Sequence, residues 1–108
     1  MSAELAQRHC QPLEGHPPMA DSVVHQHLGQ VQGWVLKDGA IEKTYRFADF
    51  HRTLAFVNAL AWIANAEDHH PDLQLSYGHC TVRFNTHSVN GISINDFICA
   101  AKVDALLA

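Results

Sequence analysis

Residues 34–47 read WVLKDGAIEKTYRF and carry the strand pattern that decides the fold of this 108-residue chain. The pair Asp38-Gly39 separates two apolar runs, and both residues tolerate the positive φ that a two-residue hairpin turn requires. In the second run, residues that can be buried alternate with polar residues. We therefore predict two antiparallel strands, Trp34–Leu36 and Ile41–Phe47, with one face buried and the other solvated.

The longest helix is predicted directly after this hairpin, from Phe50 to about Glu67, with Asp49 as its N-cap. Its apolar residues form two rows. The row that we expect to cover the sheet consists of Phe50, Leu54, Val57, Ala61 and Ala64. The second row consists of Phe56, Leu60 and Ile63. Because a single amphipathic stripe needs only one row, the second predicts a contact with another helix or another subunit, and thus a homodimer or homotetramer.

A second hairpin and two further helices are predicted in the rest of the chain. Residues Leu73–Tyr77 and Val82–Phe84 alternate on either side of a turn near Gly78-His79, which predicts a second hairpin. One helix is predicted from Asp21, before the first hairpin, and another is capped by Ser93, after the second. The order of elements predicts an α+β fold. In this two-layer sandwich, a four-stranded antiparallel sheet has helices packed on one face.

The first 20 residues differ in composition from the rest. They contain Pro12, Pro17 and Pro18, which resist both helix and strand, so we predict an extended leader over 1–20 with a short helix before the prolines. Residues 21–108 are predicted as one domain with a single core. No apolar run approaches the roughly 18 residues that cross a bilayer, and no secretory signal is recognisable, so we expect a cytoplasmic protein.

Composition excludes several classes of function. The net charge is −4 and the seven Lys and Arg residues are scattered, which argues against nucleic acid as a partner. Cys10, Cys80 and Cys99 are widely spaced, so we expect reduced thiols rather than a disulfide framework or a cysteine zinc site. Nine histidines in so short a chain indicate acid and base chemistry near neutral pH.

Three of the histidines are predicted to meet at one edge of the sheet. His69 and His70 precede Pro71, which ends the long helix, and His87 lies at the end of the last strand, just before the next loop. The return strand of a hairpin comes back beside the start of the first, so His87 should approach the histidine pair. Asp96, in the first turn of the final helix, can reach the same edge.

Two other interpretations of these residues stay open at this point. Taken alone, an adjacent histidine pair where a helix meets a strand commonly has no catalytic role. Asp96 alone is explained by the favourable interaction of a carboxylate with a helix N-terminus. Alternatively, three histidines and a carboxylate are acceptable zinc or iron ligands. The spacing is not H-E-x-x-H or another recognised metal pattern, and neighbouring imidazoles rarely converge on one ion. We therefore expect no metal and no cofactor.

The ordered set closely resembles the signature of the pterin-4a-carbinolamine dehydratase family. His69-His70-Pro71 is followed after five residues by Tyr77, after nine more by His87 and after eight more by Asp96, as in the family. The resemblance extends across the domain and into a leader like that of bacterial members. It includes Gly33-Trp34, Tyr45 to Phe47, Asp68 to Asp72, Thr86-His87 and Gly91. Two positions depart from the pattern: Asn65 replaces a residue that is usually acidic, histidine or lysine, and Leu73 replaces a tryptophan of animal members.

The resemblance implies a 4a-hydroxytetrahydrobiopterin dehydratase. This hydro-lyase eliminates water from 4a-hydroxytetrahydropterin to give quinonoid dihydropterin, and so recycles the tetrahydropterin used by an aromatic amino acid hydroxylase. General acid–base catalysis by histidine suits this reaction near pH 7. We assign proton transfer to His69 and His87 and pterin binding to His70, and we expect Tyr77 in the core or the pocket wall. The supporting residues are Asp68, Thr86 and Asp96.

The main alternative function is that of a non-catalytic interaction module, because animal members of the family also act as dimerisation cofactors of a homeodomain transcription factor. An adaptor has no need of the whole histidine set at matching spacing, so the sequence favours the enzyme.

Overall fold

The structure is a computed structural model and describes residues 3–108. A short 3₁₀ turn, His87–Val89, lies between the last strand and the last helix. The other elements, in chain order, are α1 (Ala3–Gln7), α2 (Asp21–Leu28), β1 (Val35–Lys37), β2 (Ala40–Arg46), α3 (Phe50–Glu67), β3 (Asp72–Leu75), β4 (His79–Phe84) and α4 (Ile94–Ala105).

The sheet has four antiparallel strands in the order β1-β2-β4-β3, which confirms the predicted fold. At the first turn Asp38 and Gly39 both adopt positive φ, 51° and 78°, as the hairpin pattern requires. Side chains on one face, such as Ile41 and Val82, are buried in the core beneath the helices. The opposite face is polar, because Thr44 and Thr81 pair there through their hydroxyl groups at 2.7 Å.

Helix α3 has the predicted bounds and the predicted N-cap, since the Asp49 side chain accepts from the Arg52 N–H. The face that it buries is different from the one expected. The buried residues are Thr53, Phe56, Leu60 and Ala64, whereas Phe50, Leu54 and Ala61 are exposed. Phe56 and Leu60 therefore belong to the core of this chain, so of the two contacts predicted for their row, with another helix or with another subunit, they are not free to make the second. The helix is apolar on most of its circumference, so periodicity alone could not select the inward face.

The second hairpin also differs from the expected burial. All four residues of β3 are exposed, and Tyr77, expected in the core or the pocket wall, is 68% exposed. Strand β3 is the edge strand beyond β4, while α3 and α4 contact β4 itself. The alternating pattern therefore predicted the strand β3 correctly. It did not predict whether the helices would extend over this strand and bury its apolar side chains.

The start of α4 is the best-defined helix terminus in the fold. Ser93 and Asp96 form a capping box, in which the Ser93 side chain bonds the first turn and the Asp96 carboxylate accepts from the Ser93 N–H at 2.9 Å. Most of the helix is buried, including Asn95 through Ala101, between the sheet and α1. This terminus is consequently a rigid platform for the groups attached to it.

The leader lies on the domain rather than apart from it. Leu5 of α1 is buried, and Lys102 of α4 donates to the Ala6 carbonyl at 2.7 Å. Farther along, the Met19 N–H donates to the Ile92 carbonyl at 2.8 Å. The extended stretch between them crosses the end of the molecule where α3 stops and α4 starts. Over residues 3–108, no helix combines the length and apolarity needed to cross a membrane.

Candidate active site

The chain turns sharply where α3 ends. Asp68 takes the left-handed conformation (φ 50°, ψ 45°), and the His69 N–H returns to the Ala64 carbonyl at 3.1 Å. Aspartate tolerates this conformation better than most non-glycine residues because its short polar side chain can hydrogen-bond locally. Pro71 then prevents the helix from resuming. As a result His69 turns into the fold, with 11% of its side chain exposed, while His70 is exposed.

His69 is held by Asp96. Its Nε2 lies 2.6 Å from Asp96 Oδ1, and the Asp96 side chain is 0% exposed. The imidazole also stacks on the Phe84 ring, with centroids 5.8 Å apart and planes 9° from parallel. A short bond at one ring atom and a flat contact along one face fix both the position and the rotation of the imidazole.

The other oxygen of Asp96 is occupied as well. Oδ2 accepts from the Thr86 Oγ1 hydroxyl and from the Ser93 N–H, both at 2.9 Å, and Thr86 and Ser93 share a further hydroxyl contact at 2.6 Å. This buried carboxylate is thus fully satisfied by hydrogen bonds. Asp96 therefore has both roles considered from the sequence: it caps the N-terminus of α4, and it orients a histidine.

The contacts of Asp96 determine which nitrogen of His69 is available for chemistry. The partners of Oδ2 are donors, so the carboxylate acts as an acceptor and we assign His69 Nε2 as the third donor. The neutral imidazole then carries its proton on Nε2 and leaves a lone pair on Nδ1. Protonation makes Nδ1 a donor. A histidine held in this way can accept and return a proton at one defined atom.

The two other histidines are more exposed than His69. His70 follows His69 and places Nε2 3.3 Å from Asn65 Oδ1 on the last turn of α3. His87 follows Thr86, begins the 3₁₀ turn and is exposed. The prediction that His87 ends the last strand was wrong, because β4 stops at Phe84 and the chain then bends through a single bridge between Thr86 and Gly91.

Two cavities border the site, and Thr86 lines both of them. The first has a volume of about 380 Å³ and is lined by His69, Ser88, the end of α3 and the leader residues Cys10 to Glu14. The second, of about 310 Å³, is lined by His87 and the Asp38-Gly39 turn. Both lie at the lower end of the roughly 300–1,000 Å³ typical of small-molecule sites. Asp96 thus bonds both His69 and Thr86, whereas His69 lines the first cavity and His87 lines the second.

The leader contribution to the first cavity could not be inferred from the sequence. Glu67 anchors it by accepting from the Cys10 N–H at 2.7 Å and by pairing with His9 at 2.8 Å. Burial opposes ionisation of Glu67, but these hydrogen bonds, together with the charge of Lys102, hold its pKa below the usual value. Prolines and a glycine signalled an extended segment and carried no information about what it would touch.

The cysteines stand outside this arrangement of proton-transferring groups. Cys10, Cys80 and Cys99 are free, although the Sγ atoms of Cys10 and Cys99 are 3.5 Å apart. Hydrogen bonding to Cys10 and burial raise the pKa of the Cys99 thiol, and burial raises that of Cys80. Raised pKa values keep both thiols protonated at neutral pH and make them poor nucleophiles.

Metal coordination finds no support in the geometry of the histidines. Within residues 3–108, no group of three or more His, Cys, Asp or Glu side chains has an arrangement that could hold a metal ion. His69 Nε2 is bonded to Asp96, and His70 Nε2 lies beside Asn65 Oδ1.

Similarity to known proteins covers most of the chain. The sequence profile described as "Pterin 4 alpha carbinolamine dehydratase" matches residues 17–106. A protein of Chromobacterium violaceum is 51% identical over 102 residues, which cover 94% of each chain. A protein of Xanthomonas campestris pv. campestris (strain 8004) is 54% identical over 105 residues, covering 94% of this chain and 89% of the relative. Both relatives bear, provisionally, the name pterin-4-alpha-carbinolamine dehydratase.

Solved structures agree with the sequence relatives. A "transcriptional coactivator/pterin dehydratase" from Brucella melitensis superposes with a TM-score of 0.80 at 30% identity, covering 84% of this chain and 99% of that one. A pterin dehydratase-like protein, described as a RuBisCO assembly factor in the alpha-carboxysome, has a TM-score of 0.57 at 23% identity over 68% of this chain and 84% of its own, and shows the shared fold alone. On the extent of these matches, the chain belongs to the pterin 4 alpha carbinolamine dehydratase family.

Proposed function

We propose that this protein is a 4a-hydroxytetrahydrobiopterin dehydratase, which eliminates water from a 4a-hydroxytetrahydropterin to give the quinonoid dihydropterin. The observation that carries the proposal is the bond between His69 and the buried Asp96, 2.6 Å long, at the wall of a cavity. Membership of the family supports the pterin as substrate.

The reaction requires two proton transfers. The 4a-hydroxyl is a poor leaving group until it is protonated, and N5 must lose a proton as its electron pair expels water. Histidine can perform either transfer near pH 7. Overall, one water molecule leaves and no electron is gained or lost, so the site needs only an acid, a base and a surface that holds the pterin.

We assign the proton transfers to His69 and His87, which approach from different elements of the fold. His69 would act through Nδ1, the nitrogen that Asp96 leaves unpaired. Thr86 supports this arrangement by bonding Asp96 and by preceding His87 in the chain. Positioned acid–base groups typically contribute about a hundredfold to ten-thousandfold in rate.

The remaining predicted residues would hold the pterin or the site itself. His70 is exposed and lies beside Asn65, so it can donate to a pterin from the rim. Asp68 produces the left-handed turn that points His69 inward and also lines the cavity. Because Asn65 contacts His70 directly, this departure from the family pattern is placed to alter substrate preference.

The cellular role proposed here is recycling of tetrahydropterin for an aromatic amino acid hydroxylase, in the cytoplasm, without cofactor or metal. We also propose that the protein is a dimer or tetramer. With Phe56 and Leu60 assigned to the core, self-association would use the outer side of α3, where Trp62 is 80% exposed. Phe50 and Leu54 of the same helix are also exposed, and exposed apolar patches, rather than single side chains, mark contact surfaces.

A non-catalytic interaction role is the second candidate. It is favoured by the same outer side of α3 and by the Brucella melitensis protein, which is described as a transcriptional coactivator as well as a pterin dehydratase. The two candidates differ in whether His69 and Asp96 matter, since neither faces the outer side of α3.

The test is turnover of freshly generated 4a-hydroxytetrahydropterin, followed by absorbance against the spontaneous reaction. We expect acceleration that scales with protein concentration and survives a chelator. A properly folded protein that leaves the spontaneous rate unchanged would refute the enzymatic proposal and leave the interaction role.

A further inference from the structure

The leader segment Cys10–Glu14 forms one side of the cavity that holds His69, and the proton transfers proposed above make no use of it. Five consecutive leader residues line the cavity. They face the end of α3, from Ala66 to His69, and face Thr86, Ser88 and Asn95 near the start of α4. A ligand that reached His69 in this cavity would therefore be in contact with the leader.

Asn95 fixes this segment with hydrogen bonds in both directions. Its Oδ1 accepts from the Gln11 N–H at 3.1 Å, and its Nδ2 donates to the Gln11 carbonyl at 2.8 Å. Asn95 is 5% exposed and directly precedes Asp96 in α4. The leader and the carboxylate that orients His69 are thus attached to the same turn of helix. Glu67 adds the second anchor through the Cys10 N–H.

A tight turn then defines the position of Glu14. The His16 N–H donates to the Leu13 carbonyl at 3.0 Å, and Gly15 takes φ 86°, which a residue with a Cβ rarely adopts. Glu14 is the residue before this glycine, is exposed and lines the cavity. Among the described residues its carboxylate has no hydrogen-bond or ion-pair partner, unlike that of Glu67.

The chemistry of a pterin supplies a partner for such a carboxylate. The 2-amino group and the N3–H of the ring are adjacent donors that point in nearly parallel directions. A carboxylate offers two parallel acceptors and forms charge-assisted bidentate bonds with such a pair. The opposite end of the bicyclic ring, which carries the 4a-hydroxyl and N5, is then free to face His69.

We propose that Glu14 recognises the aminopyrimidinone edge of the pterin, with Asn95 as the residue that positions the leader for this contact. The inference rests on the proposed function and extends it, because it names the group that selects the substrate. Glu14 takes no part in proton transfer. Its loss therefore weakens binding and leaves the chemical step intact.

The test compares Glu14→Gln with Glu4→Gln, a matched change on the exposed side of α1 outside the cavity. Binding of an unreactive oxidised pterin is measured directly by fluorescence titration, alongside its analogue with a 2-oxo group in place of the 2-amino group. We expect Glu14→Gln to raise Kd for the pterin about tenfold, the size expected for one charge-assisted bond. The 2-oxo analogue keeps the N3–H donor but presents a carbonyl beside it, which repels a carboxylate and accepts from the Gln amide, so its Kd should change by less than that of the pterin. Glu4→Gln should change neither.

Kinetics provide the second readout. We expect Glu14→Gln to raise KM by about the same tenfold factor with kcat within twofold, Glu14→Asp to recover part of the loss, and Asn95→Ala to raise KM in the same way. Equal weakening of both ligands, no change in either, or a fall in kcat alone would each overturn the inference. A wild-type protein that binds the pterin without accelerating dehydration would refute the proposed function instead, and one that binds no pterin would refute both.

Discussion

Replacing Asp96 by Asn tests the role of the carboxylate, because it changes one atom of the side chain at the centre of the site. The amide oxygen can still accept from Thr86 and Ser93, which now donate at 2.9 Å. The amide NH₂ must then face His69 Nε2, where two donors would meet at 2.6 Å. His69 can avoid this clash by moving its proton to Nδ1, and the neutral imidazole then has no lone pair left on that nitrogen.

The expected loss follows from this reversal of the tautomer. We expect kcat to fall about a hundredfold or more, within the range that a positioned acid–base group contributes, while KM changes little. Two of the three hydrogen bonds survive, so the free energy of unfolding should fall by only about 1.5–3 kcal/mol, the contribution of one bond to a charged group. Stopped-flow turnover and urea unfolding measure the two quantities separately.

Asp104→Asn is the matched control. Asp104 lies near the other end of α4 and accepts from Trp34, Lys43 and Tyr45, with distances of 3.1 Å for Trp34 and 2.9 Å for Lys43. Burial of Tyr45 and its hydrogen bond to Asp104 raise the pKa of the tyrosine, so the Tyr45 hydroxyl remains a donor. We expect Asp104→Asn to lower stability and to leave kcat unchanged. A folded Asp96→Asn protein with wild-type kcat would refute the reasoning about the tautomer.

Four other predictions can be checked independently. His69→Ala and His87→Ala should each leave residual turnover, while the double change should reduce the rate to near the spontaneous one. In steady-state kinetics, a double mutant whose loss of activation free energy equals the sum of the two single losses would contradict this. Phe56→Ala should cost about 3–5 kcal/mol in urea unfolding because the side chain is 4% exposed, whereas Trp62→Ala should cost under about 1 kcal/mol but shift the oligomer in light scattering. The fold lowers the pKa of Glu67, so the ionised carboxylate stabilises the protein above pH 4.5, the ordinary pKa of the group, and this stabilisation is lost as the pH falls below that value. In thermal melts at a series of pH values, Glu67→Gln should therefore reduce the loss of stability at acid pH. Activity should survive dialysis against a chelator, and recovery with zinc or iron after a loss would favour a metal site.

The sequence was sufficient for most of the fold because local patterns agreed with tertiary needs. The Asp38-Gly39 turn, the Asp49 cap and the Ser93 capping box each depend on chemistry within a few residues, and all three are present in the structure. Burial was predicted less well. The orientation of α3 depends on which of its apolar sides meets the sheet, and the exposure of β3 depends on where the helix layer ends.

The places of the candidate site residues in the fold were predictable, whereas the contacts between them were not. Spacing placed His69 at the end of α3 and Asp96 in the first turn of α4, but it could not show that these two groups bond directly. It also could not show the stacking on Phe84 or the leader that closes the cavity. These contacts join residues far apart in the chain, and no local pattern encodes them.

The most direct test of the central claim compares His69→Ala with His51→Ala in single-turnover dehydration of 4a-hydroxytetrahydropterin. His51 lies on the exposed side of α3 and provides a change of the same kind outside the site. We predict that His69→Ala lowers the rate of the chemical step at least about tenfold with retained circular dichroism, and that His51→Ala matches the wild type. Equal wild-type rates in both variants would contradict the assignment of His69 as a catalytic residue.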